Sequence, residues 1–305
     1  MTAEMNEASP SRTKGPRVFL DYDQAELDAA YDQAAYEPNI EQMRKRWASN
    51  SARTRVRVGE PLRHAYGDAE VEGLDIFRTD RAGAPVFVFI HGGAWRAGTA
   101  SQYSAPAEMF VRAGAHYVVP DFSWVQDRGG DLLPIAEQIR RAVAWVYKNA
   151  ESFGGDPTRI YIGGQSSGAH LAAVALTTDW AGEFDLPADV VKGGLCTSGM
   201  YELAPVRLSH RSSYVRFTDD MVEGLSPIRH LDLLSAPLIV SYGTYETPEF
   251  IRQAREFATA VRDTGKLREL IVAENYSHLD LPETLCNPYG VLGAAVLKMM
   301  GLGAG

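Results

Sequence analysis

The stretch from Arg159 to Leu176 constrains this chain more than any other. A β-branched run, Arg159-Ile160-Tyr161-Ile162, leads into Gly164-Gln165-Ser166-Ser167-Gly168 and then into the apolar run Ala169-His170-Leu171-Ala172-Ala173-Val174-Ala175-Leu176. The pentapeptide alone is a common string; its place between a strand and a helix gives it meaning. Glycines flank the serine because the turn holds the serine backbone in an unfavourable conformation, and side chains at 164 and 168 would strike the neighbouring strand and helix. Such a turn lifts the Ser166 hydroxyl above the edge of a sheet, with the positive end of the following helix behind it. Ser166 is therefore the candidate nucleophile.

The rest of the chain supplies the sheet. Pro85-Val86-Phe87-Val88-Phe89-Ile90 is a continuous β-branched and aromatic run, as a strand buried on both faces requires. Further central strands are expected at 117–119, 159–162, 194–196, 238–241 and 270–272, with more polar edge strands at Thr54 to Val58 and Leu74 to Arg78. Amphipathic spacing predicts helices over Leu133 to Asn149, Phe250 to Thr264 and Val291 to Met300. Strands alternating with helices in this way imply an α/β fold with a mostly parallel sheet covered on both faces. The expected organisation is a disordered arm over residues 1–16 and one domain over 17–305. That domain carries a helical extension at 17–50 and a small helical, cap-like insertion at 200–232.

The formal charge of -9 and the absence of a basic stripe argue against nucleic acid as a partner. Residues 1–16 lack the apolar run of a secretory signal or membrane anchor, so a cytoplasmic protein is expected, without a membrane partner. Cys196 and Cys286 are the only cysteines and form no metal-binding or redox pair. No phosphate loop or dinucleotide fingerprint is present, and no metal or other cofactor is expected. A homodimer is the assembly expected.

A serine hydroxyl needs a base, and the developing oxyanion needs preorganised N–H donors. His91-Gly92-Gly93-Ala94-Trp95 follows the strand ending at Ile90, and its adjacent glycines can turn backbone amides toward one point. Gly93 and Ser167 are the main expected donors, with Gly92 or Ala94 as a third; His91 reads as a loop anchor. Of the seven histidines, His278 stands just beyond the last expected strand and so at the same sheet edge as Ser166. The acid belongs in the loop after 238–242, where Glu246 and Glu249 compete. Thr247-Pro248 reads as a helix N-cap followed by proline at the first helical position, which places Glu249 in the first turn and favours Glu246 as the free carboxylate.

Nucleophile, acid and histidine in this order are those of the α/β-hydrolase fold. Taken with Ser198-Gly199-Met200-Tyr201-Glu202-Leu203 and Thr247-Pro248-Glu249-Phe250, these motifs resemble the kynurenine formamidase (arylformamidase) group of that fold over nearly the whole chain. The resemblance implies Ser166, Glu246 and His278 as the triad and Gly92, Gly93 and Ser167 as the oxyanion positions. Members commonly carry Asp where this chain has Glu246. The implied reaction is hydrolysis of an aryl formamide to formate and an aromatic amine, and the group also resembles carboxylesterases of short-chain or aryl esters. Trp95, Phe122, Trp124 and Tyr276, together with Tyr214 and Phe217, are candidates to meet an aromatic small-molecule substrate. For Trp95, lining the pocket and packing under the loop are both open.

Overall fold

The computed structural model describes residues 13–303, so most of the arm expected over 1–16 lies outside the described residues. A small hairpin, β1 (Arg17–Phe19) and β2 (Tyr22–Asp23), precedes an eight-stranded sheet. The sheet strands are β3 (Leu62–Ala65), β4 (Gly73–Phe77), β5 (Ala84–Ile90), β6 (His116–Pro120), β7 (Gly155–Gln165), β8 (Val191–Thr197), β9 (Leu238–Gly243) and β10 (Leu267–Ala273). Their spatial order is β10-β9-β8-β7-β5-β6-β4-β3, parallel from β10 to β6 and antiparallel at the β6, β4 and β3 end.

Every residue of β5 is buried, as its unbroken apolar run demands. Val86, Val88 and Ile90 join one core, with the helices Leu133–Asn149, Ser167–Leu176 and Pro248–Asp263; Phe87 and Phe89 join the other, with Ala107–Ala113 and Val291–Met299. Strand register brings the loop-bearing ends level with one another. Ile90 pairs Gly164, Gln165 pairs Thr197, Thr197 pairs Ser241 and Gly243 pairs Ala273, so the carboxyl ends of β5, β7, β8, β9 and β10 line up at one edge. The segments that carry His91, Ser166, Ser198, Glu246 and His278 all leave the sheet from that edge.

One expected strand is a helix. Thr54 to Val58 ends the helix Ile40–Val58, and the edge beside β4 is taken instead by Leu62–Ala65. Three alternating β-branched residues imitate a strand, but Met43, Trp47, Ser51, Thr54 and Val58 recur at helical spacing. Ser51 and Thr54 bind the carbonyls of Gln102 and Ala105 at 2.7 and 3.3 Å, which fixes that face inward, while Val56 stays exposed. The 200–232 segment is helical: Leu203–Arg207, His210–Ser213, Asp219–Gly224 and Pro227–Arg229 come one after another in short turns. Among the described residues no helix is long and apolar enough to cross a membrane.

Candidate active site

Ser166 stands between β7 and the helix Ser167–Leu176 with φ 58° and ψ -126°, a conformation costly for a side-chain-bearing residue. The flanking glycines explain how the turn tolerates it. A Cβ on Gly164 would lie 2.3 Å from the Gly168 carbonyl oxygen, and one on Gly168 would lie 2.1 Å from that of Ile90. Non-glycine residues in the left-handed region gather here: Ala94, Trp95, Ser166 and Ser198 are four of the seven among the described residues, and Asn275 begins the histidine loop. Strain gathered at one sheet edge is a mark of a functional centre.

His278 and Glu246 meet at that edge. The imidazole Nδ1–H donates to Glu246 Oε2 at 2.8 Å, with both residues buried, which leaves Nε2 with its lone pair. The carboxylate is held from three further directions: Ser198 Oγ donates to Oε1 at 2.5 Å, the Gly243 amide to Oε1 at 2.7 Å and Gln33 Nε2 to Oε2 at 3.3 Å. Gln165, beside the serine, donates to the His278 carbonyl at 3.2 Å, tying the histidine loop to the serine turn. The Phe250 ring and the imidazole meet edge to face, with centroids 4.9 Å apart. A buried carboxylate fixed this firmly can orient an imidazole as a base and stabilise its charged form.

Glu249 lies in the first turn of Pro248–Asp263, as expected, but more than the helix dipole holds it there. It is fully buried, pairs with Arg252 at 2.8 Å and accepts from Tyr31 Oη at 3.0 Å. Thr247 is the N-cap residue by position, although its buried hydroxyl makes no capping bond.

The loop after β5 passes directly over the serine. A Cβ on Gly92 would sit 3.4 Å from that of Ser166, 3.0 Å from the Gln165 carbonyl oxygen and 2.5 Å from Gln165 Oε1, so the absence of a side chain eases the approach. Gly93 takes φ 118°, and Ser167 opens its helix, where a first-turn amide has no intrahelical acceptor. His91 is fully buried, stacked on Phe122 and Tyr103, and its Nδ1–H donates to the Gly92 carbonyl at 2.8 Å.

Trp95 packs under the loop. It is 1% exposed, and its Nε1–H donates to His170 Nδ1 at 3.2 Å; His170 in turn donates from Nε2 to the Leu225 carbonyl of the insertion at 2.7 Å. The pair of bonds requires a neutral ring, and burial pushes the His170 pKa down to about 4. The unfolded chain, near 6.5, then takes up this proton first as the pH falls. Stability from His170 is complete above pH 6.5 and is lost between 6.5 and about 4, on the order of 3 kcal/mol in all. Urea midpoints measured from pH 7 to 4.5 are expected to fall less steeply in His170→Gln than in the unsubstituted protein.

The aromatic candidates do not converge on one wall. Phe122, 3% exposed, is a core residue behind His91. Trp124 is exposed and bonded to the Gly98 carbonyl at 3.0 Å, while Tyr214 and Phe217 are half-buried on the insertion. Tyr276 lines a shallow cleft with Asp280, Glu283 and Asn287 beside the histidine loop, and its backbone carbonyl accepts from the Tyr245 amide at 3.0 Å. Aromatic type marks burial as readily as binding, so composition could not sort them. Gln33 and Arg211 escaped the sequence altogether, and Ser198 stood out only as part of the string Ser198-Gly199-Met200-Tyr201-Glu202-Leu203, with no role of its own. Gln33 acts across 213 positions, where no local signal reaches.

A mostly parallel sheet with a strained serine turn, a glycine loop over it and a carboxylate–imidazole pair at the same edge defines an α/β-hydrolase. The family model named BD-FAE matches residues 74–194. Kynurenine formamidase of Danio rerio is 29% identical over 243 residues, 77% of this chain and 80% of that protein. Esterase LipQ of Mycobacterium tuberculosis is 27% identical over 238 residues, 71% of this chain and 54% of that protein. A solved structure from Silicibacter sp. superposes with a TM-score of 0.77 at 24% identity, covering 88% of this chain and 98% of that one. The chain is a kynurenine-formamidase-like α/β-hydrolase, an enzyme of the ester- and amide-hydrolysing type.

Proposed function

We propose that this chain is a serine hydrolase that removes a small acyl group from an aromatic amide, an aryl formamide such as N-formylkynurenine, through an acyl-enzyme on Ser166. The observation that carries the reading is the buried Glu246–His278 bond of 2.8 Å at the edge where Ser166 is held in its strained turn. In the first step His278 Nε2 takes the Ser166 proton as Oγ attacks the formyl carbon. The oxyanion is held by the amides of Gly93 and Ser167, with Gly92 beside them. His278 then passes the proton to the departing aromatic amine, and water repeats the sequence to release formate. Glu246 keeps the imidazole in the required tautomer and stabilises its charged form without taking the proton. Every proton moves on a side chain of the protein, so the reading needs no cofactor.

The similarity to Esterase LipQ favours a second reading, a carboxylesterase using the same residues. Specificity constants for N-formylkynurenine and p-nitrophenyl acetate separate the two. The formamide is expected to exceed the ester once each is corrected for its uncatalysed rate; ester turnover without measurable formamide turnover overturns the formamidase reading.

A further inference from the structure

Arg211 lies in the insertion turn His210–Ser213 and is only 6% exposed. Its guanidinium donates to two neutral oxygens, Tyr214 Oη at 2.7 Å and the Tyr31 carbonyl at 2.9 Å, while its buried Nε has no partner. No carboxylate among the described residues pairs with it; Glu249, in the same neighbourhood, is taken by Arg252. A charge withdrawn from water without a counterion is costly, and the nearby aromatic faces offset only part of that cost. Those faces place the charge. Arg211 Cζ lies 5.8 Å from the Trp95 ring, which ends the glycine loop, and 5.9 Å from the Phe250 ring, which packs on His278.

More cations surround it. Arg96, in the loop beyond Trp95, covers the Tyr214 ring at 4.6 Å, and Arg216 packs on Gly129 and Gly130, next to Arg128. None of the three is paired with a carboxylate among the described residues, and all are exposed. In a chain of net charge -9, these arginines gather on the insertion side of the site, although Asp28 and Asp32 also act on the neighbouring His210.

We infer that Arg211 is a specificity residue that binds a carboxylate on the substrate, with Arg96, Arg128 and Arg216 drawing such anions toward the site. A planar guanidinium whose buried Nε–H meets no protein acceptor suits a carboxylate better than an ammonium would. The inference rests on the proposed serine-hydrolase site and narrows its substrates to those with an anionic group on the portion released from the acyl group.

The test uses the full chain and two matched pairs: meta-acetoxybenzoate with its methyl ester, and meta-formamidobenzoate with its methyl ester. The free carboxylate is expected to raise kcat/KM at least about tenfold over the masked member of a pair. Arg211→Gln is expected to remove that ratio through KM, and Arg211→Lys to restore part of it. Raising salt should slow only the carboxylate-bearing member, a readout independent of whether the variants fold. Binding of meta-hydroxybenzoate against meta-hydroxybenzamide by calorimetry needs no turnover, so anion preference there survives failure of the serine-hydrolase reading. Charge selection on the acetates alone likewise leaves this inference standing while formamide cleavage fails. Equal kcat/KM within each pair, equal responses to salt, or a preference unchanged in Arg211→Gln overturns it.

Discussion

Replacing Ser166 by alanine is expected to lower kcat/KM by at least about 10⁴-fold on any substrate the protein cleaves. The reason is local. The residue after β7 is held at φ 58° by packing that does not involve its hydroxyl: its amide donates to the Thr197 carbonyl at 2.9 Å, and its carbonyl accepts from the His170 amide at 3.1 Å. Alanine keeps both bonds and has the same backbone preferences, so the melting temperature should stay within a few degrees. On the proposed mechanism, binding and polarisation by the glycine loop remain and sustain a small residual rate without a nucleophile. Steady-state rates and a thermal melt on the same preparation check both halves. Loss of activity accompanied by loss of folding would instead make Ser166 a structural residue.

Glu246→Gln and Glu249→Gln should separate two buried carboxylates that stand three residues apart. At 246 the amide can still accept from Ser198 and Gly243, but its NH2 group opposes the His278 Nδ1–H and favours the wrong tautomer. A loss of about 10³ to 10⁴ in kcat with little change in stability is expected. At 249 the change removes the charge that Arg252 and Tyr31 Oη meet, leaving a partly buried guanidinium with only the exposed Glu256 as its counterion. A melting temperature lower by roughly 5 °C is expected, with kcat of the folded protein within a few fold of the original. The kcat of each variant, measured well below its own melting temperature, checks the contrast. The opposite pattern would make Glu249 the acid.

The same two carboxylates mark where sequence reasoning reached and where it stopped. Pro248 marked the helix start and so set Glu249 in its first turn and Glu246 in the loop before it, because a proline at the first helical position is a local constraint. The serine turn was legible for the same kind of reason: glycines at 164 and 168 are demanded by contacts within a few residues and one neighbouring strand. The parallel strands were legible as runs too apolar to face water. Thr54 to Val58 was misread because five alternating residues cannot outweigh a helical face that begins at Met43 and closes on Gln102 and Ala105. Nothing local could show that Gln33 reaches Glu246, that Arg211 lies between Trp95 and Phe250, or that Trp95 turns inward to His170. Those facts depend on which helix lies over which strand, and the sequence records that only through the packing of the whole domain.

The proposed mechanism stands on one atom, the Ser166 Oγ, and covalent chemistry reads it directly. A fluorophosphonate probe, with digestion and mass spectrometry after it, is expected to modify the unsubstituted protein once, on the peptide carrying Gly164-Gln165-Ser166-Ser167-Gly168. Labelling should be lost in Ser166→Ala and slowed in Glu246→Gln. Labelling of another residue, or undiminished labelling of Ser166→Ala, would contradict the assignment of this serine as the nucleophile.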